Sequence, residues 1–420
     1  MQKTGKHYHI WTIGCQMNKA ESERLAGFFE QAGYHHSSNI DELDLIVLNS
    51  CVVRQSAENR VTNKIHSLRH LKKERPELTI AVTGCYVDSD IENLKKKHPH
   101  VDHFFKPGDY PYWLEQTGWE NTLHGSTGPA TYVPITQGCN NFCSYCIVPY
   151  RRGRERSRLV DDICNEVKEL VKCGTREVTL LGQNVDSYGH DLPDKPNLAA
   201  LLQELNGIDG LLRLRFLTNH PKDMSDTLID AISSLDKVCE QINLPVQAGD
   251  NRILSLMRRG YTVEHYRKLI DKIRSKIPDI ALSTDIIVGF PTESDEQFRN
   301  TFDLLADIRF DTVHVAAYST REGTIAARDL NDDVNDEEKK RRLSIVEELQ
   351  EKIATGINAN LKGKTVEILV EGRKKGKWQG RTRSDKLVFF RDNENLQGKL
   401  VEIEIEKTSP WSLQGKIIKR

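Results

Sequence analysis

Residues 131–146 read TYVPITQGCNNFCSYC: a short apolar run, a glycine turn, then three cysteines spaced C-x3-C-x2-C. An apolar run of this length bounded by turn residues reads as a buried strand, Thr131–Thr136. Cys139, Cys143 and Cys146 fall just past its carboxyl end, the face on which βα barrels carry their active sites. Structural zinc usually takes four ligands, often as two pairs, and this trio has no fourth partner nearby. Ferredoxin runs keep two-residue gaps and supply more cysteines. Three thiolates on a cubane cluster leave one iron without a protein ligand, and an open position is what chemistry needs.

Downstream, further strands are expected at Glu177–Leu181, Leu212–Leu217, Gln241–Pro245, Ala281–Val288 and Thr312–Tyr318, with a helix after each of the first five strands. In Asn197–Ile208 the residues Leu198, Leu201, Leu202, Leu205 and Ile208 form one helical stripe, and Glu264–Ile277 repeats the pattern. Six βα units fall short of the eight of a closed barrel, so a partial, open barrel is expected. Upstream, runs at Tyr8–Ile13, Asp44–Leu48 and Thr79–Val82 alternate with helical patterns at Lys19–Gln31, Gln55–Glu74 and Asp90–His98. These runs end at Gly14-Cys15, Ser50-Cys51 and Gly84-Cys85. Residues past the carboxyl ends of parallel strands share one crevice, so Cys15, Cys51 and Cys85 converge. Gly118–Pro129 reads as a linker, and a charged helix, Asp336–Ala354, leads out of the barrel. Val366–Val370, Lys386–Phe390 and Leu400–Ile405 read as strands of a small β-barrel. The fold class is α/β: an N-terminal open parallel domain (residues 1–120), a partial (βα)6 barrel (130–355) and a C-terminal β-barrel (358–420).

The 420 residues suit two to four domains at ~100–200 residues each. With 38% hydrophobic and 29% charged residues the chain buries cores and stays soluble. No apolar run approaches the ~20 residues of a membrane span, and the opening lacks a signal peptide's apolar stretch, so a cytoplasmic protein is expected. Thiols there stay reduced, which turns the six patterned cysteines towards metal or catalysis. Cys164, Cys173 and Cys239 read as structural. His98, His100 and His103 read as surface residues. The net charge of −1 hides a gradient: from Leu361 onward 15 Lys and Arg stand against 8 Asp and Glu, a net +7.

The C-x3-C-x2-C spacing at a barrel mouth resembles the radical S-adenosylmethionine enzymes. The three upstream cysteines and the β-rich tail narrow the resemblance to methylthiotransferases. It extends through Gly14-Cys15-Gln16-Met17-Asn18, Asn49-Ser50-Cys51-Val52-Val53-Arg54 and Tyr145-Cys146-Ile147-Val148-Pro149-Tyr150. Leu181-Gly182-Gln183-Asn184-Val185-Asp186-Ser187-Tyr188-Gly189 and Ser283-Thr284-Asp285-Ile286-Ile287-Val288-Gly289-Phe290-Pro291 match as well. The resemblance implies two 4Fe–4S clusters, one on Cys139, Cys143 and Cys146, the other on Cys15, Cys51 and Cys85. It implies two S-adenosylmethionine molecules per turnover, one the radical source and one the methyl donor. The target would be C2 of N6-(dimethylallyl)adenosine beside the tRNA anticodon, with a low-potential electron donor and a sulfur donor as partners. An aromatic C–H yields to no side chain acting as a base, so cofactors must supply the chemistry.

Polar residues at strand ends, Gln183, Asn184, Ser283 and Asp285, are the expected ligands of the aminocarboxylate and ribose. The tail resembles a TRAM domain, an RNA-binding module. Its Arg373, Lys374, Lys375, Lys377, Arg381 and Arg383 are the candidate phosphate contacts, interleaved with Trp378, Phe389, Phe390 and Trp411. Phe389 is expected to fill the barrel core. A second basic run, Arg151, Arg152, Arg154, Arg156 and Arg158, is either a solvated loop or a phosphate guide at the mouth. Departures from the family wording, such as Ser50 for Thr and Asn243-Leu244-Pro245-Val246-Gln247-Ala248-Gly249 for H-x-P-x-Q-S-G, bear on the substrate. N6-threonylcarbamoyladenosine of tRNA or an aspartate of a ribosomal protein are the alternative targets. A non-enzymatic iron–sulfur carrier is the alternative from another class.

Overall fold

The computed structural model describes residues 5–52, 55–88, 90–109, 111, 113–114 and 128–419. The first part alternates β1 (Lys6–Ile13), α1 (Gln16–Gln31), β2 (Tyr34–His36), β3 (Leu45–Ser50), α2 (Gln55–Glu74), β4 (Thr79–Gly84), α3 (Ile91–Lys97) and β5 (His103–Phe104). Its five strands are all parallel, in the order β2-β1-β3-β4-β5. Every residue of β3 is buried because helices cover both faces of the sheet. Ile46 and Leu48 pack with Val61, Ile65 and Leu68 of α2, whereas Leu45 and Val47 pack with Leu25, Phe28 and Phe29 of α1. The short β2 and β5 are additions to the strands expected from sequence. His98 corrects the surface reading: it is fully buried, and its Nε2 meets the Tyr86 hydroxyl at 2.9 Å. Burial pushes its imidazole down to about 4. The stretch read as a linker, Gly118–Pro129, lies outside the described residues apart from its last two.

The middle part begins with β6 (Ala130–Pro134), β7 (Thr136–Gln137), α4 (Val148–Arg152), β8 (Arg156–Ser157), α5 (Val160–Lys172) and β9 (Glu177–Leu181). It continues with α6 (Leu198–Asn206), β10 (Arg213–Phe216), α7 (Asp226–Ser234), β11 (Gln241–Asn243), α8 (Asn251–Leu256) and α9 (Val263–Lys276). β12 (Ala281–Val288), α10 (Asp295–Ile308), β13 (Thr312–Ala317), α11 (Ile325–Asp329) and α12 (Asp336–Ala359) complete it. β6, β9 and β10 form one parallel sheet and β11, β12 and β13 another, joined by the parallel bridge Leu214–Val238. This is the open six-stranded barrel. Helices start where capping residues accept their first N–H groups: Asn197, Ser225, Asp250, Thr262 and Ser294 each do so.

Period-2 alternation divides the barrel wall. Val178, Leu180, Leu214, Phe216, Ile242, Leu282 and Ile286 face the helices in one core. The opposite parity, Glu177, Thr179, Arg213, Arg215, Gln241, Ser283 and Asp285, therefore faces inward. The tail closes a barrel from β14 (Thr365–Lys374), β15 (Lys377–Thr382), β16 (Leu387–Phe390), β17 (Leu400–Thr408) and β18 (Leu413–Lys419). β15 and β18 go beyond the three strands read from sequence. Trp378, Val388 and Phe390 fill the core, which leaves Phe389 half-exposed, a parity opposite to the one expected. No helix among the described residues is long and apolar enough to cross a membrane.

Candidate metal and cofactor site

β1, β3 and β4 end in step, because Ile13 pairs with Ser50 and Ser50 with Gly84. Backbone bonds carry that level one residue on: Cys51 N–H donates to Ile13 O at 2.8 Å and Cys85 N–H to Ser50 O at 2.7 Å. Gly84 sits at φ +88, where a Cβ would come within 2.2 Å of Ser50 O, so glycine alone fits before Cys85. Cys15 caps α1, and its N–H donates to Asn18 Oδ1 at 3.2 Å. Asn18 Nδ2 in turn donates to Asn49 Oδ1 (2.8 Å) and Ser50 O (3.1 Å), tying the Cys15 turn to the Cys51 turn. Contact with the Cys51 thiol draws the Cys15 thiol down to about 6, against the effect of burial. The three thiols thus occupy one edge, as the spacing required.

The second trio hangs on a loop folded back on itself. Gly138, at φ +79, lets the chain pass Arg154 O, which a Cβ would approach to 2.2 Å. Cys139 N–H then bonds Gly153 O at 3.2 Å. Ser144 anchors the loop to α8, its N–H on Met257 O (3.0 Å) and its hydroxyl on Leu256 O (2.7 Å). Asn141 N–H points at Cys139 Sγ at 3.5 Å. Burial pushes the Cys146 thiol up to about 12 and the Cys139 thiol above its usual range.

Arg259 decides what this trio fits. Its Nη1 donates to Cys143 Sγ at 3.2 Å, its Nη2 to Pro245 O at 3.1 Å and its Nε to the Tyr261 hydroxyl at 3.0 Å. It is 5% exposed and meets no carboxylate among the described residues. An uncompensated buried charge costs several kcal/mol, and the anionic partner at hand is the trio in its thiolate form. Thiolates that accept N–H bonds from a guanidinium and a backbone amide fit an iron–sulfur cluster, which cysteine thiolates hold and such bonds tune. Among the described residues no three His, Cys, Asp or Glu side chains are gathered tightly enough for a single metal ion. A four-iron cluster spaces its ligands more widely than one ion does.

The two trios are linked by Arg152. Rather than facing solvent or phosphate, it is buried with Nε 3.2 Å from Cys85 Sγ and both Nη groups on Glu21. Ile147, next to Cys146, packs into the same apolar cluster as Cys85 and Tyr86. Arg151 pairs with Asp88 (2.8 Å) and Arg158 with Glu166, while Arg154 lies over the Phe142 ring, 4.4 Å from its centre. Arg152 fits neither reading of the basic run from sequence, whereas Arg154 and Arg156 are exposed as a solvated loop requires. A signal was present: Arg-Arg-Gly occurs at 151–153 and at 258–260, and each time the second arginine reaches a thiol of one trio.

The Radical SAM superfamily model matches residues 133–305, the model called Uncharacterized protein family UPF0004 matches 7–106, and the TRAM domain model matches 360–418. A tRNA-2-methylthio-N(6)-dimethylallyladenosine synthase of Dehalococcoides mccartyi (strain CBDB1) is 55% identical over 98% of each chain. The chain belongs to this synthase family. Another member, from Roseiflexus sp. (strain RS-1), is 47% identical over 99% of this chain and 90% of its own. The solved radical S-adenosylmethionine methyltransferase TsrM from Kitasatospora setae, 13% identical, shares the fold over 77% of each chain with a TM-score of 0.52. Membership of the radical SAM superfamily implies S-adenosylmethionine and a 4Fe–4S cluster.

Within the synthase fold, Gln183 and Asn184 stand just past β9, at the mouth. Asn184 Nδ2 donates to Asp223 Oδ2 at 2.7 Å, and both Asn184 Oδ1 and Gln183 Oε1 are buried without a partner among the described residues. Ser283 and Asp285 are not at a strand end but inside β12. They sit level with the end of the neighbouring β11, where Asn243 pairs with Ser283. Asn243 Nδ2 donates to both, at 3.2 Å each. Unforeseen at the same rim is Asp186, which accepts from Asn219 Nδ2 and from His220 N–H; burial pushes its carboxyl up to about 7.

The six basic tail residues divide. Arg373, Lys374, Lys375 and Lys377 cluster at the β14–β15 hairpin, whose turn is Lys375-Gly376 with both φ positive. Arg373 covers Trp378 at 4.3 Å. Arg383 instead grips Glu240 with Nε (2.8 Å) and Nη2 (2.7 Å), and Arg381 pairs with Asp385 and Glu371. Arg213 and Arg215, inside the base of the large barrel, donate to the carbonyls of Arg381, Thr382 and Arg383.

Proposed function

We propose that this chain transfers a methylthio group to C2 of N6-(dimethylallyl)adenosine beside the tRNA anticodon. The observation that carries the reading is the 139–152 loop, which holds one thiol trio and delivers Arg152 to a thiol of the other. In this reading Cys139, Cys143 and Cys146 hold a 4Fe–4S cluster that with S-adenosylmethionine supplies a carbon-centred radical, and Cys15, Cys51 and Cys85 hold a second that supplies sulfur. Arg259 offsets the charge of the barrel thiolates, and the Asn18–Asn49 pair keeps the other trio in register. Gln183 and Asn184 at the rim, with Ser283 and Asp285 in the wall below, receive the polar groups of S-adenosylmethionine, two molecules being consumed per turnover. Arg373, Lys374, Lys375 and Lys377 neutralise tRNA phosphates, while Arg383 holds the tail on the barrel and Arg381 braces Glu371 and Asp385 within it. The domains run 1–120, 130–355 and 358–420. A low-potential electron donor, a sulfur donor and a cytoplasmic setting belong to the same proposal.

Mass spectrometry of nucleosides from tRNA of cells with and without this gene tests it. Loss of the 2-methylthio form with accumulation of N6-(dimethylallyl)adenosine is expected. An unchanged profile would move the target to the threonylcarbamoyl base or to ribosomal protein.

A further inference from the structure

Arg152 belongs to α4 on the barrel side, yet its side chain is 2% exposed against the N-terminal sheet. Its fork takes both carboxylate oxygens of Glu21 in α1, and this bidentate grip fixes the guanidinium plane. The Nε–H is thereby aimed at Cys85 Sγ, 3.2 Å away. Arg259, beside the other trio, has no such carboxylate behind it among the described residues. The two trios are electrically unlike: one faces a guanidinium with no carboxylate behind it among the described residues, the other a guanidinium paired with Glu21, with Arg151 and Arg321 also close to Cys85 and Cys51.

We propose that the Glu21–Arg152 pair is a positioning device that sets the reduction potential of the cluster on Cys15, Cys51 and Cys85. The inference rests on the two-cluster reading above. Reduction adds a negative charge to a cluster, and hydrogen bonds to sulfur together with local net charge set its potential. Arg152 favours the reduced state, and Glu21 both aims it and moderates its charge. The barrel half thus reaches across and adjusts the centre held by the other half.

The test uses the full-length chain with Cys139, Cys143 and Cys146 replaced by alanine, reconstituted with iron and sulfide so that only the N-terminal cluster remains. Its midpoint is read by potentiometry followed by electron paramagnetic resonance. Arg152→Gln should lower the midpoint and Glu21→Gln should raise it, each by about tenfold in the reduction equilibrium, ~59 mV for a one-electron couple. A merely structural role would move both variants the same way. Shifts of the same sign, or no shift in either, overturn the inference. Arg152→Lys, which keeps the charge and loses the fork, should fall between parent and Arg152→Gln; a value at or above the parent counts against the aimed N–H. If the parent triple variant binds no iron, the two-cluster reading itself fails, and that result is distinguishable from the others.

Discussion

A buried guanidinium stands 3.2 Å from a thiol in each half of the site, Arg152 at Cys85 and Arg259 at Cys143. In the proposed function the thiols divide the labour by position. Cys139→Ala should abolish the formation of 5′-deoxyadenosine by the reduced protein, measured by chromatography. Cys15→Ala should leave that product in place and lose the methylthiolated nucleoside. Full methylthiolation by Cys15→Ala would remove the sulfur-carrying role from the upstream trio. The six cysteines were legible in the sequence because local spacing and strand ends fix them. Arg152 and Arg259 were not, because a side chain's partner 67 or 116 residues away is decided by tertiary packing.

At the scale of elements, the thiols depend on how strands stop. Gly84 ends β4 in a left-handed conformation against Ser50 O, the carbonyl that also receives Cys85 N–H. Gly84→Ala should cost about 1–3 kcal/mol for the backbone alone, with the close contact adding to it. The urea midpoint and the iron retained after reconstitution should both fall; an unchanged midpoint would contradict this account. The alternation of strands and helices could be read in advance because β3 is apolar on both faces and α6 and α9 on one. The tail was harder. In β15, Lys-Trp-Gln-Gly-Arg-Thr, buried positions hold Trp378, Gly380 and Thr382, so only one is a large apolar residue. A one-residue choice of register then put Phe389 in the core, where its neighbours Val388 and Phe390 lie instead, since neighbours along a strand face opposite sides. His98 was misread for a related reason: its burial depends on the Tyr86 hydroxyl, which no local pattern announces.

As a whole molecule, the chain is tied together at both ends of its barrel. Around the mouth Arg151, Arg152 and Arg321 reach Asp88 in the loop past β4, Glu21 of α1 and Glu58 of α2. At the base Arg213 and Arg215 bind the tail, and the tail's own Arg383 grips Glu240. The two groups of tail residues should therefore respond differently to salt. If about four phosphates are neutralised, log affinity for tRNA should fall with log salt at a slope of about −3. Lys374→Ala with Lys375→Ala should reduce that slope by about 1–2, whereas Arg383→Ala should leave the slope alone and lower the thermal midpoint. Fluorescence anisotropy at several salt concentrations checks both, and a slope change in Arg383→Ala would place it on the RNA. The seal at the base has a consequence for traffic. With Arg213 and Arg215 bound by the carbonyls of residues 381–383, the tail covers the base of the open barrel among the described residues. A molecule that enters over the rim does not pass out through the base, and that rim is where the nucleic acid would lie. Turnover then becomes a matter of queueing: spent molecules cannot drain from below, so each must clear the doorway before the next arrives.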